Sequence, residues 1–188
     1  MTVKGHVLLA LAPVAIIKPD LFNNPLFIFF ITLGAVFPDL DEPNSFIGRK
    51  LFFISYPLRW LGLKHRTITH SFIFPVAAVS IAMFLYNIPL LLFLYGYCMH
   101  LIGDMLTITG IPALYPLSKK YYNLVPQKLR FRTGSTIEYI LISLLFLIIV
   151  YSLHKSNIPG ESFSKNLYFI YKNLQFFINK HMFSFLSP

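Results

Sequence analysis

The sequence predicts an all-α, polytopic membrane protein with about five membrane helices and an amphipathic C-terminal helix. Of its 188 residues, 56% are hydrophobic and 12% are charged, and the mean hydropathy is +0.65. Soluble domains carry about 25% charged residues, so this composition is typical of a chain that lies largely in a bilayer. The apolar residues fall into five runs, and one compact membrane domain suits this length.

The five apolar runs are predicted as helices of unequal length. The first two, residues 4–17 and 24–38, are shorter than the roughly 20 residues that a full crossing needs. They are therefore either short spans or a hairpin with one end in the bilayer. A retained first helix is expected rather than a signal peptide, because no small-residue cleavage site follows it. The other segments are residues 70–87, 89–106 and 136–153.

Two long connections, residues 39–69 and 107–135, separate these segments and carry ten basic residues between them. Trp60 and several other aromatic residues indicate that part of the first connection lies at the membrane interface. The tail repeats Lys and Asn every seven residues between apolar residues, which predicts a helix lying on the membrane. The sequence thus predicts a membrane-embedded domain over residues 1–155 and an amphipathic interfacial tail over residues 156–188.

The net charge of +9 lies mainly in the connections, which indicates membrane topology rather than a nucleic-acid partner. With five spans, both long connections and the first residues fall on one side, which the positive-inside rule makes cytoplasmic. The lysines of the tail fall on the other side, which counts against this orientation. The single cysteine, Cys98, excludes an internal disulfide and a cysteine-based metal cage.

Carboxylates and imidazoles gather at the ends of the apolar segments, on the predicted cytoplasmic side. The densest group is PDLDEP at residues 38–43, with three carboxylates in four positions directly after an apolar run. Such carboxylates are costly beside a membrane unless positive charge meets them. We therefore expect Asp39 and Asp41 to turn inward, one to each of two metal ions. Solvated acids at the end of a helix are the alternative interpretation.

Histidines supply the remaining candidate ligands. His100 and Asp104 stand four residues apart, so on a helix they share a face near the membrane boundary. A buried hydrogen-bonded pair would have the same spacing. His65 and His70 are five residues apart and do not share a helix face. One is expected in the loop and the other at the start of the third segment, with Thr69 as a candidate N-cap.

Three further residues have two interpretations each. Arg66 suits phosphate, because a guanidinium group binds phosphate through two hydrogen bonds, and a topological loop cation is the alternative. His6 stands alone one turn into the first segment, where an interfacial histidine is an equal interpretation. Glu138 begins the fifth segment, where a capping box with Ser135 is the alternative to a role in the reaction.

The candidate residues together predict a metal site at one end of the protein. The predicted ligands are His6, Asp39, Asp41, His65, His70, His100 and Asp104. This set exceeds one tetrahedral zinc and fits two or three divalent ions, with Zn²⁺ expected and Mn²⁺ as the alternative. The predicted catalytic residues are Asp104, Arg66 and Glu138, whereas His154 and His181 fall on the opposite side and are left out.

Four stretches occur in this order along the chain: GAVFPDLDEPNS, KHRTITHS, HLIGDMLTITGIPALYPLS and RFRTGSTIE. Together they resemble the membrane-bound metal-dependent hydrolases of the YdjM type over residues 1–153, with the tail outside the resemblance. The resemblance implies an inner-membrane location and a hydrolytic activity. A remoter similarity is to zinc-dependent phospholipase C and P1-type nucleases, which share a His-x-x-x-Asp helix. By that likeness Asp104 bridges metal ions, and the other ligands are Asp39, His65, His70 and His100.

The sequence thus favours an inner-membrane metal-dependent hydrolase that cleaves a phosphoester of a lipid or lipid-linked substrate with metal-activated water at the cytoplasmic face. Membrane lipids and a lipid-like phosphorylated substrate are its expected partners, and nothing in the sequence indicates an oligomeric state. A divalent metal transporter is one alternative, although the apolar fifth segment disfavours an ion path through the bilayer. A non-catalytic scaffold with a structural metal is the other.

Overall fold

Helices account for the regular structure of the residues that the computed structural model describes, 1–60 and 66–156 together with Tyr168. The α-helices are α1 (Val3–Ile17), α2 (Pro25–Val36), α3 (Phe46–Lys50), α4 (Phe52–Trp60), α5 (Ile73–Phe84), α6 (Ile88–Met105) and α7 (Thr136–Lys155). Short 3-10 helices lie at Pro19–Asn23, Phe37–Asp41, Ile68–His70 and Gln127–Leu129. These residues contain isolated β-bridges and no strand, which confirms the prediction of an all-α fold. The predicted tail helix lies outside the described residues, except for Tyr168.

The predicted apolar segments correspond to α1, α2, α5, α6 and α7. Asparagine side chains fix two of the starting points. Asn24 accepts a hydrogen bond from the backbone N–H of Leu26 at 3.0 Å, and Asn87 accepts one from Leu90 at 2.9 Å. These contacts satisfy amide groups that have no partner within the first helical turn. The first long connection is not irregular throughout, because it contains α3 and α4.

The third apolar segment begins later than predicted, at Ile73, whose backbone N–H donates to the hydroxyl oxygen of Ser71 at 3.2 Å. The residues before it form a 3-10 turn that is held by other parts of the chain. The hydroxyl of Ser71 donates to the carbonyl groups of Ala113 and Tyr115 at 3.2 and 2.7 Å. The prediction that Thr69 caps this helix is therefore wrong, because its hydroxyl contacts an aspartate and a histidine described below.

Two helices in the described part of the chain are long and apolar enough to cross a membrane, α6 with 18 residues and α7 with 20. α1 and α5 are apolar but shorter, so five spans stay a prediction. The outer faces of α5 and α7 carry large apolar side chains, such as Phe84 at 82% exposure and Leu147 at 60%. An exposed apolar surface of this extent is typical of a face that contacts membrane lipid or another protein.

A close contact between α2 and α6 forms the centre of the helix bundle. A Cβ atom on Gly34 would lie 1.9 Å from the carbonyl oxygen of Phe93, and one on Gly96 would lie 2.1 Å from that of Ile31. The two backbones therefore touch at a point where no side chain fits, as small residues allow in membrane helix pairs. α1 packs against both helices and against α7.

Four helix ends meet at one end of this bundle, the N-terminal ends of α1 and α7 and the C-terminal ends of α2 and α6. The backbone N–H of Thr2 donates to Glu138 at 2.6 Å, and the ring of His100 lies 2.7 Å from the carbonyl oxygen of Ala35. We call this the polar end of the bundle. The connection after α6 folds back onto that helix, where Ile111 packs against its C-terminal half.

The glycine contact predicts that Gly96→Ala destabilises the protein by about 1–3 kcal/mol, the usual cost of overpacking. The added methyl group meets a backbone carbonyl, which cannot move without separating the helices. Thermal unfolding in detergent, followed by the fluorescence of the single tryptophan, measures the change. Cys98→Ala on the same helix adds no atoms and serves as the control. Equal stability of the two variants would contradict the close contact.

Candidate metal centre

The structure brings three imidazoles and two carboxylates into one cluster at the polar end: His6, Asp39, His70, His100 and Asp104. Two overlapping groups, His6–Asp39–His100 and His70–His100–Asp104, each offer three ligand atoms within 4.8 Å of one another. The three histidines and Asp104 are almost completely buried, whereas the side chain of Asp39 keeps 15% exposure. Residues from α1, the turn after α2, the turn before α5 and α6 thus converge on one small volume.

His100 is oriented by the backbone of α2. Its Nδ1 atom lies 2.7 Å from the carbonyl oxygen of Ala35. A carbonyl oxygen only accepts, so Nδ1 carries the proton and the lone pair of a neutral ring is on Nε2. Among the described residues this buried Nε2 atom has no hydrogen-bond partner, and it lies 3.6 Å from Asp39 Oδ1 and 4.0 Å from Asp104 Oδ2. The imidazole is therefore fixed with an acceptor atom facing two carboxylates.

His70 is oriented through a threonine and an aspartate. Thr69 donates its hydroxyl hydrogen to Asp41 Oδ2, and its oxygen lies 3.0 Å from His70 Nδ1. The opposite ring atom, Nε2, lies 3.7 Å from Asp39 Oδ1 and 3.6 Å from Asp104 Oδ2. Asp41 is thus behind the ring of His70, 3.9 Å from Nδ1. This placement differs from the predicted role of Asp41 as a metal ligand.

His6 stacks on His100 and completes the cluster from α1. The two ring centroids are 3.7 Å apart and the rings are nearly parallel, at 9°. The Nε2 atom of His6 lies 3.4 Å from Asp104 Oδ1. Gly103 makes room for the ring, since a Cβ atom there would lie 3.0 Å from His6 Nδ1. The histidine that stood alone in the sequence is therefore among the most closely packed members of the site.

Asp104 is the carboxylate with the most charged neighbours. The amino group of Met1 donates to its Oδ1 atom, and Arg66 Nη2 lies 3.1 Å from its Oδ2 atom. Arg66 Nη1 also donates to the carbonyl oxygen of Gly110 at 3.4 Å. The backbone of Arg66 has φ of 59°, a region that non-glycine residues seldom adopt. The structure thus places Arg66 at the site, with 15% of its side chain exposed.

Asp39 is the accessible carboxylate of the cluster. Its Oδ1 atom lies 3.7 Å from His70 Nε2 and 3.6 Å from His100 Nε2, and its side chain keeps 15% exposure. The carboxylate of Glu42, three residues further on, contacts Arg59 instead, since Arg59 Nη1 donates to Glu42 Oε2 at 3.1 Å in an exposed position.

Glu138 lies at the same end, but its carboxylate holds the backbone. Its Oε1 atom accepts from the N–H of Thr2 and its Oε2 atom from the N–H of Gly134, both at 2.6 Å. Ser135 in turn accepts from the N–H of Glu138 at 3.4 Å, which is one half of the predicted capping box, whereas Glu138 accepts from Gly134 instead of Ser135. The side chain is fully buried. We therefore assign Glu138 to joining α1 and α7 rather than to the predicted role in the reaction.

Three histidines remain, one predicted as a ligand and two predicted to lie away from the site. His65 and His181 lie outside the described residues. His154 is exposed near the C-terminal end of α7, the end opposite Glu138.

The contacts of Ala35 and Gly103 were not apparent from the sequence, because a carbonyl group and a missing side chain carry no chemical signature. Thr69 was visible beside His70, and a hydroxyl next to a candidate ligand is a usable signal.

The donor set fits a divalent cation. The Nε2 atom of His100 and the Oδ1 atom of Asp39 are both acceptors, and they face each other at 3.6 Å in a buried position. Two such acceptors repel each other unless a positive charge lies between them. Imidazole nitrogen together with carboxylate oxygen is the ligand chemistry of zinc and manganese sites.

Comparisons with known proteins give the chain its family. A model of the family described as YdjM inner membrane protein matches residues 1–181. The chain is 32% identical over 180 residues to the inner membrane protein YdjM of Escherichia coli (strain K12), covering 86% of this chain and 87% of that protein. The protein of the same name from Shigella flexneri gives the same values. The chain belongs to the YdjM inner membrane protein family.

Membership of the YdjM family confirms the predicted resemblance and the inner-membrane location. The family match extends to residue 181, so the tail that the sequence resemblance left out is largely part of the YdjM family sequence. No solved structure matches this chain. The remoter similarity to phospholipase C and P1-type nucleases therefore stays an expectation.

The two backbone contacts of Glu138 predict that Glu138→Gln destabilises the fold by about 1–3 kcal/mol, because the new amide NH₂ group faces an N–H donor in a buried position. Thermal unfolding in detergent measures this change. Asp20→Asn makes the same chemical change at an exposed carboxylate and should leave stability unchanged. A Glu138→Gln protein as stable as Asp20→Asn would show that these contacts do not hold α1 to α7.

Proposed function

We propose that this protein is a metal-dependent hydrolase of the inner membrane that cleaves a phosphoester of a lipid or lipid-linked substrate. The observation that supports it is the convergence of buried imidazole Nε2 atoms on the carboxylates of Asp39 and Asp104. Such a cluster has a high desolvation cost in an apolar bundle unless it binds a cation. A site at the polar end of the helices meets lipid headgroups before it meets any other phosphoester.

In this proposal the two overlapping groups of histidines and aspartates hold divalent ions, zinc or manganese. Ions bound in such sites activate water and stabilise negative charge on a phosphoryl group. His100 and Asp39 present fixed ligand atoms, and Asp104 has one oxygen toward His6 and the other toward His70. Asp41 acts through His70, since a carboxylate behind a ligating histidine fixes its ring and raises its basicity.

Arg66 binds the phosphate oxygens in this proposal. Its guanidinium group reaches Asp104 at 3.1 Å while keeping part of its surface exposed, so it lies at the border between cluster and exterior. Asp39 shares this partial exposure. A guanidinium fork matches two phosphoryl oxygens, and in a partly buried position it stabilises the charge that develops during transfer. Substrate would therefore enter along the side of Arg66 and Asp39.

The orientation of the site follows from charge. The connection between α6 and α7 and the residues of α3 and α4 carry cations at the polar end, and the positive-inside rule makes this end cytoplasmic. With α1, α2 and α5 as short spans beside α6 and α7, the chain would cross the membrane five times. This threading is part of the proposal.

A structural metal centre is the second candidate function, and the depth of the cluster favours it. His70 and His100 have no exposed surface, and Asp104 is 1% exposed. Closed sites of this kind stabilise folds without leaving a position for substrate. The exposure of Asp39 and Arg66 is the feature that favours hydrolysis over this alternative.

Elemental analysis of the detergent-purified protein tests the metal centre. We expect one or more equivalents of zinc or manganese in the wild-type protein and none in the Asp39→Ala, His100→Ala double variant, which loses ligands of both groups. His154→Ala removes an exposed histidine away from the site and should keep the metal. Absence of metal from the supplemented wild-type protein would contradict both candidate functions.

An assay of phosphoester turnover in the same samples distinguishes the hydrolase from the structural metal centre. Wild-type protein should release phosphate or a phosphorylated headgroup from a panel of lipid phosphoesters, and Asp104→Asn should abolish this release. Retained metal with no release from any lipid phosphoester would favour the structural centre. Unchanged turnover in Asp104→Asn would contradict the proposed mechanism.

Thr69→Val tests the positioning of His70. The substitution keeps the shape of the side chain but removes the hydroxyl between Asp41 and His70. Loss of a hydrogen-bond partner behind a ligating histidine lowers metal affinity about 10–100-fold. Competition with a chelating dye measures the metal affinity of the variant. Thr133→Val, at an exposed position, is the matched control and should bind metal like the wild type. Equal affinities would mean that Thr69 does not orient the ring.

A further inference from the structure

An exposed aromatic stripe runs along α4, outside the candidate site. Phe52, Tyr56 and Trp60 are four residues apart in turn, so they lie on one face of the helix. Their exposed fractions are 49%, 61% and 90%. The opposite face is packed, since Ser55 is fully buried and Leu58 packs against a core cluster.

The residues of α3 and α4 themselves carry cations and no carboxylate, although Arg59 pairs with Glu42 from the preceding turn. Residues 46–60 contain Arg49, Lys50 and Arg59 and no acidic residue. Arg49 and Lys50 are exposed in the last turn of α3, directly before the stripe begins. Aromatic rings beside cations suit the interface of an anionic membrane, where the rings enter the headgroup region and the cations meet lipid phosphates. Neither water nor the bilayer interior suits both kinds of side chain.

α4 is also firmly connected to the candidate site. Its inner face packs against the cluster that contains Val36 and Leu40, which flank and form the turn that carries Asp39. Arg59 pairs with Glu42 at 3.1 Å, directly after that turn. The depth of α4 relative to the membrane therefore sets the depth of Asp39.

We propose that α4 lies in the membrane interface, with the stripe of Phe52, Tyr56 and Trp60 in contact with anionic lipid headgroups. The partner is the leaflet at the polar end of the bundle, and the contact holds the site at the level of the lipid phosphates. The contact itself is independent of catalysis. Its consequence, that the substrate phosphoester belongs to a membrane lipid rather than to a soluble metabolite, rests on the proposed function.

Trp60 reports this contact directly, because it is the single tryptophan of the chain. The full-length protein is reconstituted into nanodiscs whose lipids carry bromine atoms, which quench tryptophan, either near the headgroup or near the end of the acyl chain. We expect strong loss of emission with the shallow bromines, weaker loss with the deep ones, and protection from acrylamide in water. At low salt, brominated phosphatidylglycerol should quench more than brominated phosphatidylcholine, because the flanking cations enrich anionic lipid.

Two matched variants calibrate the depth. Tyr56→Trp in a Trp60→Phe background moves the probe along the same stripe and should give the same shallow profile. Leu147→Trp in that background places the probe on the exposed apolar face of α7, where the deep bromines should quench most. Quenching of the Leu147→Trp protein establishes that the brominated lipids reach the protein.

Several outcomes would overturn the inference. Acrylamide quenching of Trp60 without bromine quenching would place the stripe in water, and insensitivity to both would place it against protein. Equal quenching by the two brominated headgroups would remove the preference for anionic lipid. None of these readouts involves metal or turnover, so failure here is distinct from failure of the proposed hydrolase function.

Discussion

The direct backbone contact between α2 and α6 is the constraint on which the candidate site depends. Gly34 and Gly96 let the helices approach until carbonyl groups meet the opposite backbone. One consequence is that the carbonyl oxygen of Ala35 reaches the ring of His100. A longer distance between the helices would leave that ring free to turn, and its lone pair would no longer point at the aspartates. Two residues without side chains thus determine the direction of an imidazole.

The distribution of polarity in the bundle is the reverse of that in a soluble domain. The outer faces of α5 and α7 are apolar, whereas the buried residues of the polar end include histidines and aspartates. Part of the carboxylate charge is paired within the protein: Asp104 contacts Arg66 and the amino group of Met1, and Asp41 accepts a hydrogen bond from Thr69. Inner-membrane location in the YdjM family accounts for the exterior, and the proposed metal site would account for the interior.

The sequence predicted the five longest helices and the five members of the cluster, but it did not predict α3, α4 or the directions of the side chains. Apolar runs defined five helices closely, and the spacing of His100 and Asp104 defined one shared face. Asp41 and Glu138 have the same charge as Asp39, yet one lies behind a histidine and the other holds backbone amides. Sequence position gives the end of the bundle at which a carboxylate lies. The atom it contacts depends on tertiary packing.

The sharing of His100 between the two groups of ligands has a consequence for stoichiometry. An imidazole ring whose Nδ1 atom carries a proton has a single lone pair, and that lone pair can bind one ion. The two groups are therefore not independent sites: among the described residues, an ion that takes His100 leaves the other group with two of its three ligands. In the proposed metal site, occupancy of one position would weaken binding at the other, so metal titration should show negative coupling between ions rather than identical sites.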